Sequence, residues 1–197
     1  MKILFPIGTI FPSQKGGPSN SVYWMAKALY TEGVDVVTIA TNFGVNDKTI
    51  KSDIWIQNNF GRVRYTSDWM HQIPFKLLYY TFKELKTTDI VHLTSIFYPP
   101  SWIIATISCL KKKKIIWSSR GELNEKALIY NRWGKKTILL YIKKFMLSKI
   151  IFHTTSPSET NYMKIVFGKD VKIVEIPNFL ELPTKKGKII IANIFTI

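Results

Sequence analysis

Ile3-Leu4-Phe5-Pro6-Ile7, Gly16-Gly17-Pro18-Ser19-Asn20 and Asp35-Val36-Val37-Thr38-Ile39-Ala40 stand in that order within residues 3–40, and their reading decides the fold. The first is a short apolar run bounded by Gly8, which suits a buried strand. Ser19 or Asn20 can cap the helix that follows, expected over Ser21 to Leu29, where Val22, Met25, Ala26 and Leu29 recur at helical spacing. Gly33 ends that helix, and the β-branched run after it is a second strand. A strand, a helix and a strand in this order form a crossover unit that is right-handed by default.

The alternation continues outward. Arg62 to Thr66 reads as a strand, Pro74 to Lys86 as a helix and Asp89 to Leu93 as a strand. A helix from Pro99-Pro100 to Leu110 leads to a strand at Lys114 to Ser118. Lys135 to Lys149 forms a long basic helix, Ile150 to Thr154 a strand, Ser158 to Val166 a helix and Val171 to Ile176 a last parallel strand. Phe43 to Phe60 reads as a variable loop. Strands alternating with helices imply an α/β fold, a Rossmann-like doubly wound parallel sheet. Leu182 to Gly187 reads as a linker. Lys188 to Ile197 is strand-like, either the opening strand of a further domain or an edge strand returning to the first sheet.

Composition agrees with a packed domain. Of 197 residues, 46% are hydrophobic and 14% aromatic, so the chain buries a core and is not a disordered basic tail. Cys109 is the single cysteine, so no intramolecular disulfide forms, and a reducing cytoplasm fits. His71, His92 and His153 are scattered, which argues against a Cys/His metal cluster. Trp102 to Leu110 is too short to span a bilayer, and Thr137 to Phe152 is broken by Lys143, Lys144 and Lys149. Pro6 and Gly8 interrupt the N-terminal apolar run, so it reads as a strand and not as a signal peptide.

The charge is uneven. Lys+Arg number 28 against 13 Asp+Glu, a formal net charge of +15. Between Lys111 and Lys149 the only acidic residues are Glu122 and Glu125. Such a surface is a solvated face, or it meets an anionic membrane, a nucleic acid or a phosphorylated ligand. No nucleic-acid-binding motif is present, and the six tryptophans are spread along the chain.

In open α/β sheets ligands bind beyond the carboxyl ends of the strands, so the residues after each strand are the candidates. Gly16-Gly17 before a helix lets backbone N–H groups approach an anion, unless it is an ordinary turn. It is not the dinucleotide fingerprint, and no Walker A sequence occurs. Arg120, in Ser118-Ser119-Arg120-Gly121-Glu122, offers a planar fork for phosphate or carboxylate, and Gly121 lets the backbone pass close to a ligand. A plain surface pair of Arg120 with Glu122 is the alternative. Ser156 can cap the next helix, with Glu159 closing a capping box. Ile176-Pro177-Asn178 is a turn after the last strand, suited to a hinge. His92 and His153 fall inside strands and read as core histidines. No nucleophile elbow or Ser/His/Asp constellation supports hydrolase chemistry.

Taken in order, the first strand, the Gly16-Gly17 loop with its helix, Ser119-Arg120-Gly121-Glu122-Leu123, Ser156-Pro157-Ser158-Glu159 and Ile176-Pro177-Asn178 resemble the N-terminal, acceptor-side domain of family 4 glycosyltransferases. The resemblance covers residues 1–183, leaving 184–197 as linker and possible first strand of a C-terminal donor domain. It implies one half of a GT-B fold that moves a sugar from a nucleotide-sugar to an acceptor, with retention and with neither metal nor other cofactor. It places Gly16, Gly17, Arg120, Gly121, Glu122, Ser156, Glu159 and Asn178 around the donor phosphates and acceptor, with Arg120 as the catalytic candidate. The family's donor domain brings two glutamates eight apart, a spacing that no pair here has, so the chain alone is expected to be inactive. Family members that build surface polysaccharides or glycolipids use lipid-linked acceptors at the cytoplasmic membrane face. Lys135, Lys136, Lys143, Lys144 and Lys149, beside Ile138, Leu139, Ile142, Phe145 and Met146, would suit such an anionic interface. The expected partners are therefore a nucleotide-sugar, a saccharide or lipid-linked acceptor, an anionic membrane and, through the exposed sheet end, a second copy. The competing class is a non-catalytic basic protein that binds a phosphorylated ligand or nucleic acid.

Overall fold

A computed structural model describes residues 1–13, 16–45, 50–129, 132–182 and 190–193. Five strands are successive rungs of the alternation: β1 (Lys2–Ile7), β2 (Asp35–Thr41), β4 (Gly61–Thr66), β5 (Ile90–Thr94) and β6 (Lys114–Ser118). β7 (Ile150–Thr154) and β8 (Ile173–Glu175) extend the sheet, and β3 (Trp55–Asn58) joins its other edge. The order is β3-β4-β2-β1-β5-β6-β7-β8, parallel throughout except for the antiparallel β3–β4 pair. The chain builds leftward from β1 to β2 and β4, then resumes on the other side at β5. The reversal lies between β1 and β5, where a doubly wound sheet opens its crevice.

The helices are α1 (Gly17–Thr31), α2 (Phe75–Glu84), α3 (Pro99–Leu110), α4 (Glu125–Ile129), α5 (Arg132–Phe145) and α6 (Pro157–Phe167). Right-handed crossovers toward β8 place α2, α3, α5 and α6 on one face, over Leu4, Val91, Leu93, Ile115, Trp117 and Phe152. The leftward crossover places α1 on the opposite face, where Val22 and Ala26 pack on Ile3, Phe5, Val36 and Val63. Beyond α1 no described helix roofs this second face. Ile151 and Val174 remain 41% and 46% exposed along a groove of about 400 Å³.

The boundaries depart from the sequence reading for local reasons. α1 begins at Gly17, with Gly16 as its N-cap, because Pro18 has the fixed φ of a first helical turn. Ser19 is therefore inside the helix, and its hydroxyl donates to the Thr9 carbonyl at 2.8 Å instead of capping. The supposed loop 43–60 contains β3, whose hairpin closes on Gly61. There φ is +106° and a Cβ would lie 2.4 Å from the Val36 carbonyl oxygen, so only glycine fits. The basic helix ends at Phe145, and Leu147–Lys149 forms a separate 3-10 turn. Residues 190–193 pair antiparallel with β9 (Phe179–Leu182) as β10 (Ile190–Asn193), a ribbon separate from the large sheet. The proposed linker lies outside the described residues except for Leu182, which ends β9.

Candidate anion-binding site at the carboxyl end of the sheet

Arg120 follows β6 in a left-handed turn, with φ +52°, and Gly121 continues it at +76°. A side chain in that region is unfavourable and persists only where the surroundings hold it. The holding group is Glu159, buried in the first turn of α6. One carboxylate oxygen accepts from the Ser119 hydroxyl at 2.6 Å and the Gly121 N–H at 2.8 Å. The other accepts from the Thr155 N–H at 2.7 Å and its hydroxyl at 3.0 Å. Burial pushes this carboxyl's pKa up, but the four hydrogen bonds outweigh burial and hold it below the usual value. The expected capping box is thus only half present. Ser156 accepts from the Glu159 N–H at 3.3 Å, while the Glu159 carboxylate reaches Thr155 and the β6 turn instead.

Held this way, Arg120 donates from Nη1 to the Asn178 side-chain oxygen at 2.8 Å. Its Nε and Nη2 are buried and bond to nothing among the described residues. Burial lowers its pKa to about 10, with the Glu159 charge opposing, so the guanidinium stays charged at neutral pH. The unpartnered guanidinium edge, Nε–H beside Nη2–H, has the donor geometry of a bidentate oxyanion site. Glu122 is not its partner. That carboxylate accepts from the Ser95 hydroxyl, the Ile96 N–H at 2.5 Å and the Phe97 N–H at 3.2 Å, tying the β6 turn to the loop after β5.

Gly16 and Gly17 stand at the start of α1, beyond β1 at the same end of the sheet. Among the described residues no side chain caps this helix, and a Cβ at Gly17 would meet nothing within 4 Å. β1 and β6 are two strand spacings apart, about 10 Å. α1 and Asn178 share the walls of the groove described above. The structure therefore assembles Arg120, Gly121, Glu159 and Asn178 by direct bonds. Ser156 supports the Glu159 helix, the glycine loop lies along the same edge, and Glu122 is engaged elsewhere.

Sequence reasoning passed over Ser119, Thr155 and a buried chain beneath Arg120. His92 and His153 are 5% and 4% exposed, and the Ser118 hydroxyl bridges them at 2.9 Å and 2.8 Å. The other nitrogen of His153 bonds the Ile176 carbonyl at 3.0 Å. Burial holds both rings below the ordinary histidine pKa; for His92, His153 and Arg120 add to the effect. The unfolded chain takes up protons near pH 6.5 that the folded chain refuses, so stability is full above pH 7 and falls as pH drops. Each excluded proton is worth up to about 1.4 kcal/mol per pH unit. Urea denaturation is expected to give a higher midpoint at pH 7.5 than at pH 5.5, corresponding to up to about 1.4 kcal/mol for each ring held neutral. Equal midpoints would show that the rings titrate normally.

The basic helix is less free than its sequence suggests. Ile142 and Met146 are buried in the core, and Ile138 and Leu139 pack against it. Lys135 donates to the Ala127 carbonyl at 2.5 Å and lies 5.0 Å from the Phe97 ring. Exposed instead are Ile129, Trp133, Leu140 and Phe145, interleaved with the exposed Lys136, Lys143, Lys144 and Lys149. Among the described residues no helix is long and apolar enough to cross a membrane.

No family model and no curated protein matches the sequence. Solved structures do. Sucrose-phosphate synthase from Thermosynechococcus elongatus is 15% identical, over 90% of this chain and 48% of its own, with a TM-score of 0.61. A second structure of that synthase gives 15% identity over 90% of this chain and 88% of its own, at 0.59. The catalytic domain of starch synthase IV from Arabidopsis thaliana, bound to ADP and acarbose, is 13% identical over 91% of this chain and 51% of its own, at 0.55. The chain thus spans about half the length of the first synthase it matches. It has the α/β fold of one half of a GT-B glycosyltransferase.

Proposed function

We propose that this chain is the acceptor-side half of a retaining, family 4 glycosyltransferase acting in surface polysaccharide or glycolipid synthesis. The observation that carries the reading is the unpartnered guanidinium edge of Arg120 at the carboxyl end of the sheet. Departure of a nucleoside diphosphate from a sugar needs its charge stabilised by fixed donors, and the Arg120 guanidinium supplies such donors without a metal. ADP bound to a structural neighbour is a ligand of this chemical class. Titration of the chain with ADP and UDP, followed by NMR, is expected to shift the Arg120 Nε–H signal with millimolar affinity. No shift with either would overturn the reading. No sugar transfer is expected from these residues alone, and turnover in an assay would contradict that part.

The acceptor in this reading is lipid-linked, with the chain peripheral on the inner face of the cell membrane. Trp133, Leu140 and Phe145 among Lys136, Lys143 and Lys144 support it, since exposed aromatic and basic side chains together suit an anionic interface. Vesicles of phosphatidylglycerol are expected to bind the chain at 0.1 M salt, at least roughly thirtyfold more weakly for Lys136→Glu/Lys143→Glu, at about 1 kcal/mol per lysine. Binding to oligonucleotides but not to vesicles would favour the non-catalytic, nucleic-acid reading.

A further inference from the structure

The His92–Ser118–His153 chain has a direction that its acceptors impose. The Ile176 carbonyl can only accept, so Nε2 of His153 carries a hydrogen. A neutral His153 then offers a lone pair at Nδ1, and the Ser118 hydroxyl must donate to it at 2.8 Å. With its only hydrogen committed, Ser118 accepts from Nε2–H of His92 at 2.9 Å. All hydrogens point one way, from β5 across β6 and β7 to the turn after β8. The Ile176 N–H donates back to the Thr154 carbonyl at 2.9 Å, so that residue is gripped at both backbone groups. Two residues on, the Asn178 oxygen takes Nη1 of Arg120 and leaves Nε and Nη2 without partners among the described residues.

We propose that His92, Ser118 and His153 are positioning residues, a one-way hydrogen-bond chain that fixes the Ile176–Asn178 turn and thereby aims the unpartnered edge of Arg120. The proposal rests on the reading of Arg120 as an anion-binding group. It explains why two imidazoles and a hydroxyl occupy the middle of a sheet whose opposite face is filled by Leu93, Trp117 and Phe152. Aliphatic side chains would pack there as well, but none could hold the Ile176 carbonyl.

The test uses the Arg120 Nε–H resonance and the affinity for inorganic pyrophosphate at pH 7.5. Ser118→Ala and His153→Phe are expected to move the resonance and weaken pyrophosphate about fivefold, the effect of one lost hydrogen bond. His153→Gln places an amide N–H near the former Nε2 and is expected to recover affinity to within about twofold of wild type, since the grip on Ile176 returns. Ser101→Ala removes a buried hydroxyl that bonds the Thr94 carbonyl at 2.9 Å, away from the chain, and should change neither readout. If Ser118→Ala lowers stability as Ser101→Ala does yet leaves the Arg120 signal and the affinity unchanged, the chain is packing alone and the proposal falls. Should His153→Phe not fold, Ser118→Ala and His153→Gln decide it. Failure of wild type to bind pyrophosphate would overturn the anion reading, while the Arg120 resonance would still decide the positioning claim.

Discussion

Arg120→Met is expected to make the folded chain more stable and unable to hold a diphosphate. The guanidinium is buried, charged and only one-third bonded, with Nη1 on Asn178 and two donor nitrogens unsatisfied. Leaving buried donors without partners costs about 1–3 kcal/mol, more for a charged group. Methionine fills much of the same volume without that cost, so the variant should gain about 1 kcal/mol, or roughly 2–4 °C in Tm for a chain of this size. Diphosphate affinity should fall at least tenfold, on the order of one charge-assisted bidentate contact. Arg120→Lys keeps the charge but loses the planar fork, so its affinity should lie between the two. Calorimetric melting together with ADP titration checks both halves. A variant that melts lower and binds equally well would mean that Arg120 is a structural residue.

Glu159→Ala is expected to cause the largest loss of stability, about 4 kcal/mol, since four donors lose their acceptor in a buried site. Glu159→Gln should be nearly as damaging. Each oxygen of the carboxylate accepts from one backbone N–H and one hydroxyl, so an amide must turn its NH₂ toward a backbone N–H that has nothing to accept with, even where the hydroxyl beside it can rotate to accept. The pH dependence separates this group from the histidines. Its pKa is held down in the folded state, so its contribution is present above about pH 4.5 and disappears as pH falls further, below the window in which the histidines act. Urea denaturation of wild type and Glu159→Gln at pH 7 and pH 4 checks this. Equal stability of the two at pH 7 would show that the carboxyl is protonated there. Because Glu159 also holds the turn that carries Arg120, diphosphate affinity should fall with it.

The alternation of strands and helices was legible because period and residue type agree. β-branched runs such as 35–40 and 114–118 can only be buried strands in a chain that otherwise reads at helical spacing. β3 escaped because Trp55-Ile56-Gln57-Asn58 is short and lies on an edge, where one face is wet and the apolar signal is thin. The start of α1 differs from the cap preference of Ser19 because Pro18 favours the first helical turn, and in the fold Thr9 claims the Ser19 hydroxyl. At the site, Arg120, Gly121, Glu159 and Asn178 were each visible as residues after strands. Their bonds were not, because Ser119 and Glu159 meet only through sheet order, 40 residues apart. The histidine chain needs the register that sets Ser118 beside His153, which no single strand encodes.

The place of β1 in the sheet has a consequence for synthesis. Of the strands described, β1 is translated before the others, yet it becomes an interior strand, paired with β2 on one side and β5 on the other. The left half, β1 through β4, can assemble while the rest is still being made. The right edge of β1 has no partner until residues 90–94 have been translated, on the order of 10 s later at cellular elongation rates. During that interval a nascent chain presents an unpaired apolar strand edge, the feature that chaperones bind and that drives misassembly. Slowing translation just before β5 should therefore lower the soluble yield more than an equal pause placed after β8.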